Sequence, residues 1–220
     1  MSQPEPKLGL FVPLTAKSTE ITDVTEFLLK GYELVQDEFE PETLQWFALK
    51  DSTADGNHFL IFDTSAAESG RDSHLNGAVA AALMQNRDRL LVPGEKGVNI
   101  RKVNILASKV QRPADGLTKG LSGGIRVLIK AKVSKTQEVK DLLQGVLPSQ
   151  TESSTPVWFA IEFPDTDDFG VLGFFTSDEE REAYAKGEGM EAMRAAAQGL
   201  FETPPEVVQF EVLATKIQAV

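Results

Sequence analysis

The sequence predicts an α+β fold built from two tandem copies of one unit. Its two tryptophans lie in nearly the same octapeptide, TLQWFALK at 43–50 and TPVWFAIE at 155–162. Trp46 and Trp158 are 112 positions apart, and other matches continue along the chain at offsets that shrink from 114 to 107. Because the gaps fall between elements, the pattern indicates a duplicated domain. Runs such as WFAL and FLIF are apolar at successive positions, which predicts strands buried on both faces.

Each copy is predicted to contain the same elements in the same order. Apolar residues spaced three to four apart indicate the first helix of each copy. The first copy has a strand at 8–16, a helix with Ile21, Val24, Leu28 and Val35 on one face, strands at 43–50 and 57–63, a helical segment and a strand at 99–110. The second copy has strands at 124–133, 155–163, 169–175 and 206–217, and a helix with Val139, Leu142, Leu143 and Val146 on one face.

The helical segment before the last strand begins with a capping-box pattern in both copies. The sequences are SAAE at 65–68 and SDEE at 177–180, in which the serine caps the helix and the glutamate reaches back. Gly77 and Gly187 are expected to break each segment into two short helices. The offset is 112 up to this box and 110 at the glycines, so we place a two-residue deletion inside the segment.

The resulting order, β-α-β-β-α-β, defines a ferredoxin-like unit. Its helices cover one face of the sheet, and the other face needs a partner. We therefore expect two four-stranded sheets packed face to face, an intramolecular dimeric α/β-barrel. The predicted boundaries are 1–110 for the first domain, 111–124 for a Gly- and Pro-containing linker, and 125–220 for the second domain.

Composition excludes several classes of function. The net charge of −11 argues against nucleic-acid or anionic-membrane partners. Without cysteine there is no disulfide, thiolate metal site or cysteine nucleophile, and two histidines cannot make a three-histidine metal site. The first residues lack the basic and apolar regions of a signal peptide, and no apolar run is long enough to span a bilayer, so we expect a cytoplasmic protein.

The runs TLQWFALK, FLIFDT, AESGRDSHLNGAVAAALM and VNILASK together resemble the antibiotic biosynthesis monooxygenase-like superfamily of dimeric α/β-barrel proteins. The resemblance covers most of residues 8–110. Over 125–217 it rests on the Trp-Phe-Ala motif, the Arg181, Tyr184 and Gly187 positions, and the last strand. Most members are single domains that pair as homodimers, so this chain resembles a fused dimer. A further homodimer of the fused chain remains open.

The resemblance implies a small-molecule aromatic ligand and no cofactor or metal. Some members are cofactor-independent monooxygenases of anthrone- or quinol-like polyketides. Others degrade haem, isomerise or decarboxylate small molecules, or have no assigned chemistry. Fold alone does not choose among these activities.

His74 is the candidate catalytic residue. It lies in GRDSHLNG, where the family pattern has histidine, and Arg71 lies three residues earlier on the same helix face. An imidazole could remove a phenolic proton and so make the substrate more reactive towards oxygen. The alternative is a histidine that caps or packs near Gly77. The second copy has Tyr184 at this position.

Candidate substrate-binding residues are aromatic side chains and retained arginines. Indoles on doubly buried strands serve packing first, but they could also form the floor of a pocket for a flat ligand. The arginines could contact a ligand or form a salt bridge with a nearby carboxylate. The candidates are Trp46, Phe62, Arg71, Trp158, Arg181 and Tyr184.

Three functional hypotheses follow. The first is a cofactor-independent monooxygenase acting on a hydroxylated aromatic or polyketide-like molecule, with His74 as base or orienting group. The second is a non-catalytic small-molecule-binding or stress-associated protein with the same fold, which the loss of histidine in the second copy favours. The third is haem degradation, for which the family's full asparagine–tryptophan–histidine set is not identified in the sequence.

Overall fold

A computed structural model describes residues 4–37, 43–53, 55–111, 114–145 and 155–218. The first half contains β1 (Leu8–Thr15), α1 (Ile21–Asp37), β2 (Thr43–Asp51), β3 (His58–Ser65), α2 (Glu68–Leu75), α3 (Ala78–Leu90) and β4 (Arg101–Val110). The second half contains β5 (Gly123–Lys130), α4 (Thr136–Gly145), β6 (Val157–Glu162), β7 (Asp168–Phe175), α5 (Asp178–Lys186), α6 (Glu188–Leu200) and β8 (Glu206–Ile217). The predicted order of elements is confirmed in both halves. None of the helices in these ranges is long and apolar enough to cross a membrane.

The eight strands form one closed antiparallel barrel in the order β1-β3-β2-β8-β5-β7-β6-β4. Each half supplies a four-stranded ferredoxin-like sheet. The halves meet edge to edge, where β2 pairs with β8 and β4 pairs with β6. The predicted intramolecular barrel is thus confirmed, and the sheets are hydrogen-bonded as well as packed together. Closure satisfies the backbone groups that an open sheet edge leaves unpaired.

The buried side chains form three layers. The barrel core fills the interior, where the Phe47 ring stacks on Phe174 at 4.3 Å and on Phe62 at 6.1 Å between ring centroids. The first-half layer lies between the sheet and helices α1–α3, and it contains Trp46. The second-half layer lies between the other sheet and α4–α6, and it contains Trp158. Successive strand residues therefore serve two different layers.

The strand register moves the two-residue deletion from its predicted place. Trp46 pairs with Asp63 across β2 and β3, whereas Trp158 pairs with Gly173 across β6 and β7. The offset is therefore already 110 on the third strand of each half, and the deletion lies in the preceding hairpin loop. The predicted position inside the helical segment was wrong because the sequence alignment matched Phe62 with Phe174, two phenylalanines. The strand register shows that Leu172 is the counterpart of Phe62.

Of the two capping boxes predicted before the last strands of the two halves, only the second forms its serine cap, and its glutamate reaches back to the Thr176 N–H. Ser177 is the N-cap of α5, and its Oγ accepts a hydrogen bond from the Glu180 N–H at 3.3 Å. In the first half, α2 starts after Ala67, which has no side-chain cap, and the Ser65 hydroxyl donates to the Ala67 carbonyl instead. The first box was wrong because Ser65 belongs to the end of β3, two residues before the N-cap.

Candidate functional site

His74 lies in the last turn of α2, facing the sheet. Its Nε2 is 3.6 Å from Asp63 Oδ2, and its side chain is 11% exposed. The helix ends directly afterwards, where the Asn76 side chain donates to the Asp72 carbonyl, and α3 starts beyond the extended Gly77. The break between two helices that the sequence predicts at Gly77 therefore lies next to the candidate base.

A buried row of three side chains lies beneath His74. Trp46 on β2 is flanked by Asp63 on β3 and by Lys216 on β8, each directly opposite it in the strand register. All three are at most 4% exposed. The backbone N–H of Leu10 donates to Asp63 Oδ1 at 3.3 Å, which fixes one side of the carboxylate. We call His74, Asp63, Lys216 and Trp46 the first-half cluster.

The electrostatics of the cluster keep His74 neutral at physiological pH. Burial, followed by the charge of Lys216, lowers the pKa of His74 from 6.5 to about 4. An adjacent carboxylate normally favours the charged imidazole. Asp63 at 3.6 Å therefore does not compensate for the lost solvation of the ring. A neutral imidazole can accept a proton, but the lowered pKa makes His74 a weaker base than an ordinary histidine. The buried Lys216 favours negative charge nearby.

Trp46 forms the floor of the first-half cluster. The side chain is completely buried, and its Nε1 has no hydrogen-bond partner among the described residues. Its backbone carbonyl accepts a hydrogen bond from the Thr215 hydroxyl at 2.8 Å. Gly31 on α1 faces the indole, and a Cβ there would make an ordinary van der Waals contact at 3.7 Å. A buried indole N–H usually has a partner, so this donor, unpaired within the described ranges, is a candidate contact for a ligand.

The other first-half candidates are not part of this cluster. Phe62 points into the barrel core, on the opposite face of β3 from Asp63. Arg71 donates to both carboxylate oxygens of Glu68 and to the Val103 carbonyl, and Lys102 adds a second cation to Glu68. Of the two roles predicted for Arg71, a ligand contact or a salt bridge, this geometry is the salt bridge.

The second half replaces the polar cluster with aromatic packing. Tyr184 occupies the position of His74, and Gly173 occupies that of Asp63. The Phe175 ring packs against Tyr184 with centroids 5.2 Å apart, in the layer that contains Trp158. Burial raises the pKa of Tyr184, so the phenol stays protonated. Arg181 pairs with Asp178 at 3.0 Å, as Arg71 pairs with Glu68.

A cavity of about 480 Å³ opens in the second half, between the sheet and α6. Its walls are mainly apolar, with Arg194 and Gln198 among the polar lining residues; the apolar lining includes Ile125, Val127, Ala185, Met190, Phe201 and Val207. None of the predicted site residues lines it. The run MEAMRAAAQ at 190–198 is typical of an amphipathic helix, and nothing in it indicates incomplete packing.

Sequence reasoning also missed Asp63 and Lys216. Asp63 carries a detectable signal, because an acidic residue in the apolar run FLIFDTS has to be paired or exposed. Lys216 carries no such signal, because the other half also has a lysine, Lys109, at the same repeat position. The sequence therefore does not distinguish Lys216 from its counterpart. Only the strand register shows that Lys216 is next to Trp46.

No family model matches the sequence, and no curated protein matches it. Solved structures do. A Fusobacterium nucleatum protein proposed to be a monooxygenase has a TM-score of 0.82 and 10% identity, over 98% of this chain and 96% of that chain. A Lactobacillus acidophilus protein, also proposed to be a monooxygenase, has a TM-score of 0.75 and 11% identity, over 97% of each chain. An anthrone oxidase-like protein has a TM-score of 0.63 and 12% identity, over 98% of this chain and 95% of that chain.

The chain therefore has the fold of these solved structures, a dimeric α/β-barrel made of ferredoxin-like sheets. It has the form in which both halves of the barrel lie in one chain. The resemblance that the sequence motifs predicted is confirmed at the level of fold.

Proposed function

We propose that the protein is a cofactor-independent monooxygenase-like enzyme of a hydroxylated aromatic or polyketide-like molecule, with His74 as the proton acceptor. The observation that carries this proposal is the buried Asp63–His74–Lys216 arrangement beside Trp46. Around Trp158, Gly173 and Tyr184 stand at the positions of Asp63 and His74. Buried ionisable groups with a shifted pKa are costly to stability and concentrate at functional sites. The names of the similar structures point to the same chemistry.

The residues of the first-half cluster have complementary roles in this proposal. Neutral His74 accepts a proton from the phenol, or from the methylene group of an anthrone. Lys216 stabilises the resulting anion, and Asp63 stabilises the imidazolium that forms. Molecular oxygen is the co-reactant: it takes electrons from the anion, a hydroperoxide forms, and water leaves. One methylene group and O₂ thus give one carbonyl group and one water molecule.

The ligand would lie flat against Trp46. The indole N–H, which has no partner among the described residues, would donate to an oxygen of the ligand. The low exposure of His74 means that a ligand reaches it after α2 and α3 move away from the sheet. Gly77 lies between these helices and has no side chain to repack, so it would be the hinge of such a movement.

Oxygen uptake tests this proposal. With hydroxyanthrones and quinols as substrates, in flavin-free buffer with a chelator, we expect turnover by wild type and at least a 100-fold lower rate for His74→Gln. Tyr184→Phe is the matched control in the second half and should keep the wild-type rate. Equal unfolding midpoints establish that each variant is folded. Full activity in folded His74→Gln would refute the role of His74.

The second candidate is a binding protein without turnover, and the second-half cavity favours it. Its volume of about 480 Å³ is within the usual range for small-molecule sites. The mainly apolar lining suits the same aromatic class of ligand, while Arg194 offers a cation to a polar substituent. In this case, the first-half cluster would have no catalytic role.

Fluorescence titration distinguishes the two candidates. With the same compounds added to Trp46→Phe, which keeps Trp158 in the second-half layer, saturable quenching is expected if the cavity binds. Ala185→Leu narrows the cavity and should weaken that binding at least tenfold, whereas Ala183→Leu, on the exposed face of the same helix, should not. Equal affinity in the two leucine variants would place the ligand elsewhere.

A further inference from the structure

One end of the barrel core contains an ion pair that crosses between the halves. Asp51 ends β2 in the first half, and Arg126 lies on β5 in the second half, with 3.1 Å between the Arg126 guanidinium and Asp51 Oδ2. The two side chains are 5% and 9% exposed. Glu206 of the second half also contacts Arg126, at 3.3 Å, but it is largely exposed.

An aromatic pair occupies the equivalent position on the opposite side of the barrel. Phe163 of the second half packs edge-on against Phe11 of the first half, with ring centroids 5.4 Å apart. The Arg126 guanidinium lies 6.0 Å from the Phe11 ring, so the two contacts meet near the barrel axis.

The internal repeat relates these two contacts residue by residue. Asp51 and Phe163 lie five positions after Trp46 and Trp158, respectively. Phe11 and Arg126 lie two positions after Gly9 and Gly124, which pair with equivalent positions of β4 and β8. The fold therefore makes one inter-half contact twice, once with charges and once with phenyl rings.

This arrangement makes pairing between two second halves unfavourable. Two first halves would place Asp51 against Phe11 at both contacts, with Arg101 as the nearest cation, since its guanidinium now lies 3.7 Å from the Phe163 ring. Two second halves would place Arg126 against Phe163 at both contacts and bring two guanidiniums together near the axis. A buried charge without its partner is strongly destabilising. Pairing of two second halves is therefore the less favourable of the two, because it separates Arg126 from Asp51 and places like charges together.

Stability does not explain why the pair is present. Burial raises the pKa of Asp51, although Arg126 and His58 oppose that rise; Glu206 adds to it. A carboxyl whose pKa is higher in the folded state disfavours folding more as it ionises with rising pH. Ionised Asp51 thus lowers the stability of the barrel, and the phenyl pair fills the equivalent position without this cost.

We propose that the Asp51–Arg126 pair makes the two halves selective for each other, so that a second half accepts a first half and rejects another second half. The partner that this end of the barrel fits is the unlike half of the same protein. The proposal is independent of the catalytic role of His74.

The test uses a chain nicked in the exposed loop between Asp115 and Gly116, so that both pieces are present in equal amounts. After unfolding and refolding together, wild type should return over nine-tenths of its barrels as mixed pairs, counted by native mass spectrometry. Asp51→Phe with Arg126→Phe makes the two contacts alike, and the mixed fraction should fall towards about one half, the value for random pairing. A mixed fraction unchanged from wild type would overturn the proposal.

The intact chain provides a second measurement. Asp51→Arg and Arg126→Asp alone should each lower the folding equilibrium constant at least tenfold, because each places like charges together. The combined variant reverses the pair and should recover most of that loss. If the combined variant is as unstable as the sum of the single losses, the pair is not coupled across the halves and the proposal fails.

Discussion

Gly124→Ala is expected to lower the free energy of unfolding by about 3 kcal/mol, an effect at the upper end for added core volume. A Cβ at this position of β5 would lie 2.2 Å from the Gly173 carbonyl oxygen and 2.4 Å from Cζ of the Phe210 ring. The first of these neighbours is backbone of a paired strand, and the second is completely buried in the barrel core. Because the barrel is closed, β5 cannot move away from one neighbour without approaching another.

The matched control for this prediction is Gly199→Ala. Gly199 lies in α6 and is exposed, with nothing within 4 Å of the added Cβ, so alanine should stabilise the protein by roughly 0.5–1 kcal/mol. Urea unfolding followed by far-UV circular dichroism measures both. If Gly124→Ala unfolds at the wild-type urea concentration, the strand spacing described for this part of the barrel is wrong.

The second large effect is a loss of stability in mild acid caused by His74. Its pKa is about 4 in the folded protein and 6.5 as the ordinary value. Between these values the unfolded chain binds a proton that the folded protein does not, so the free energy of unfolding falls as pH decreases. A difference of this size corresponds to about 3 kcal/mol between pH 6.5 and pH 4. Above pH 6.5, His74 contributes no pH dependence.

His74→Gln isolates this contribution, because every other titrating group is common to both proteins. Urea unfolding at pH 7.5 and pH 4.5 should show a loss in wild type that exceeds the loss in His74→Gln by most of that 3 kcal/mol. Asp63 and Lys216 lie beside position 74 in both proteins. Parallel losses in wild type and variant would mean that the pKa of His74 is the same in the folded and the unfolded protein.

The comparison of Ser65 with Ser177 shows the limit of predicting a helix start from a local sequence pattern. Both serines precede a glutamate by three residues, yet only Ser177 caps a helix. The sequence of the first half reads equally well as a strand end or a helix start. Pairing of Ser65 with Leu8 and Thr43 in the barrel decides for the strand. Local propensity is a weak preference that tertiary contacts override.

In the candidate site, too, the sequence indicated some residues that lie together in the structure and one that lies apart from them. The sequence identified His74 and Trp46, because the GRDSHLNG motif and the repeated octapeptide mark them. It grouped Phe62 with them, although Phe62 belongs to the barrel core. When both faces of a strand are apolar, a period of two separates odd from even positions but does not tell which set faces the helices.

The duplication, the order of elements and the ferredoxin-like class could all be predicted from the sequence, because they depend on repeats and periodicity within short segments. The tertiary structure alone decided that the sheets join edge to edge and that Asp63 and Lys216 flank Trp46. It also decided that a mainly apolar cavity of about 480 Å³ lies in the half without histidine. These features depend on strand register and on how completely helices pack, which are set by contacts between residues far apart in the chain.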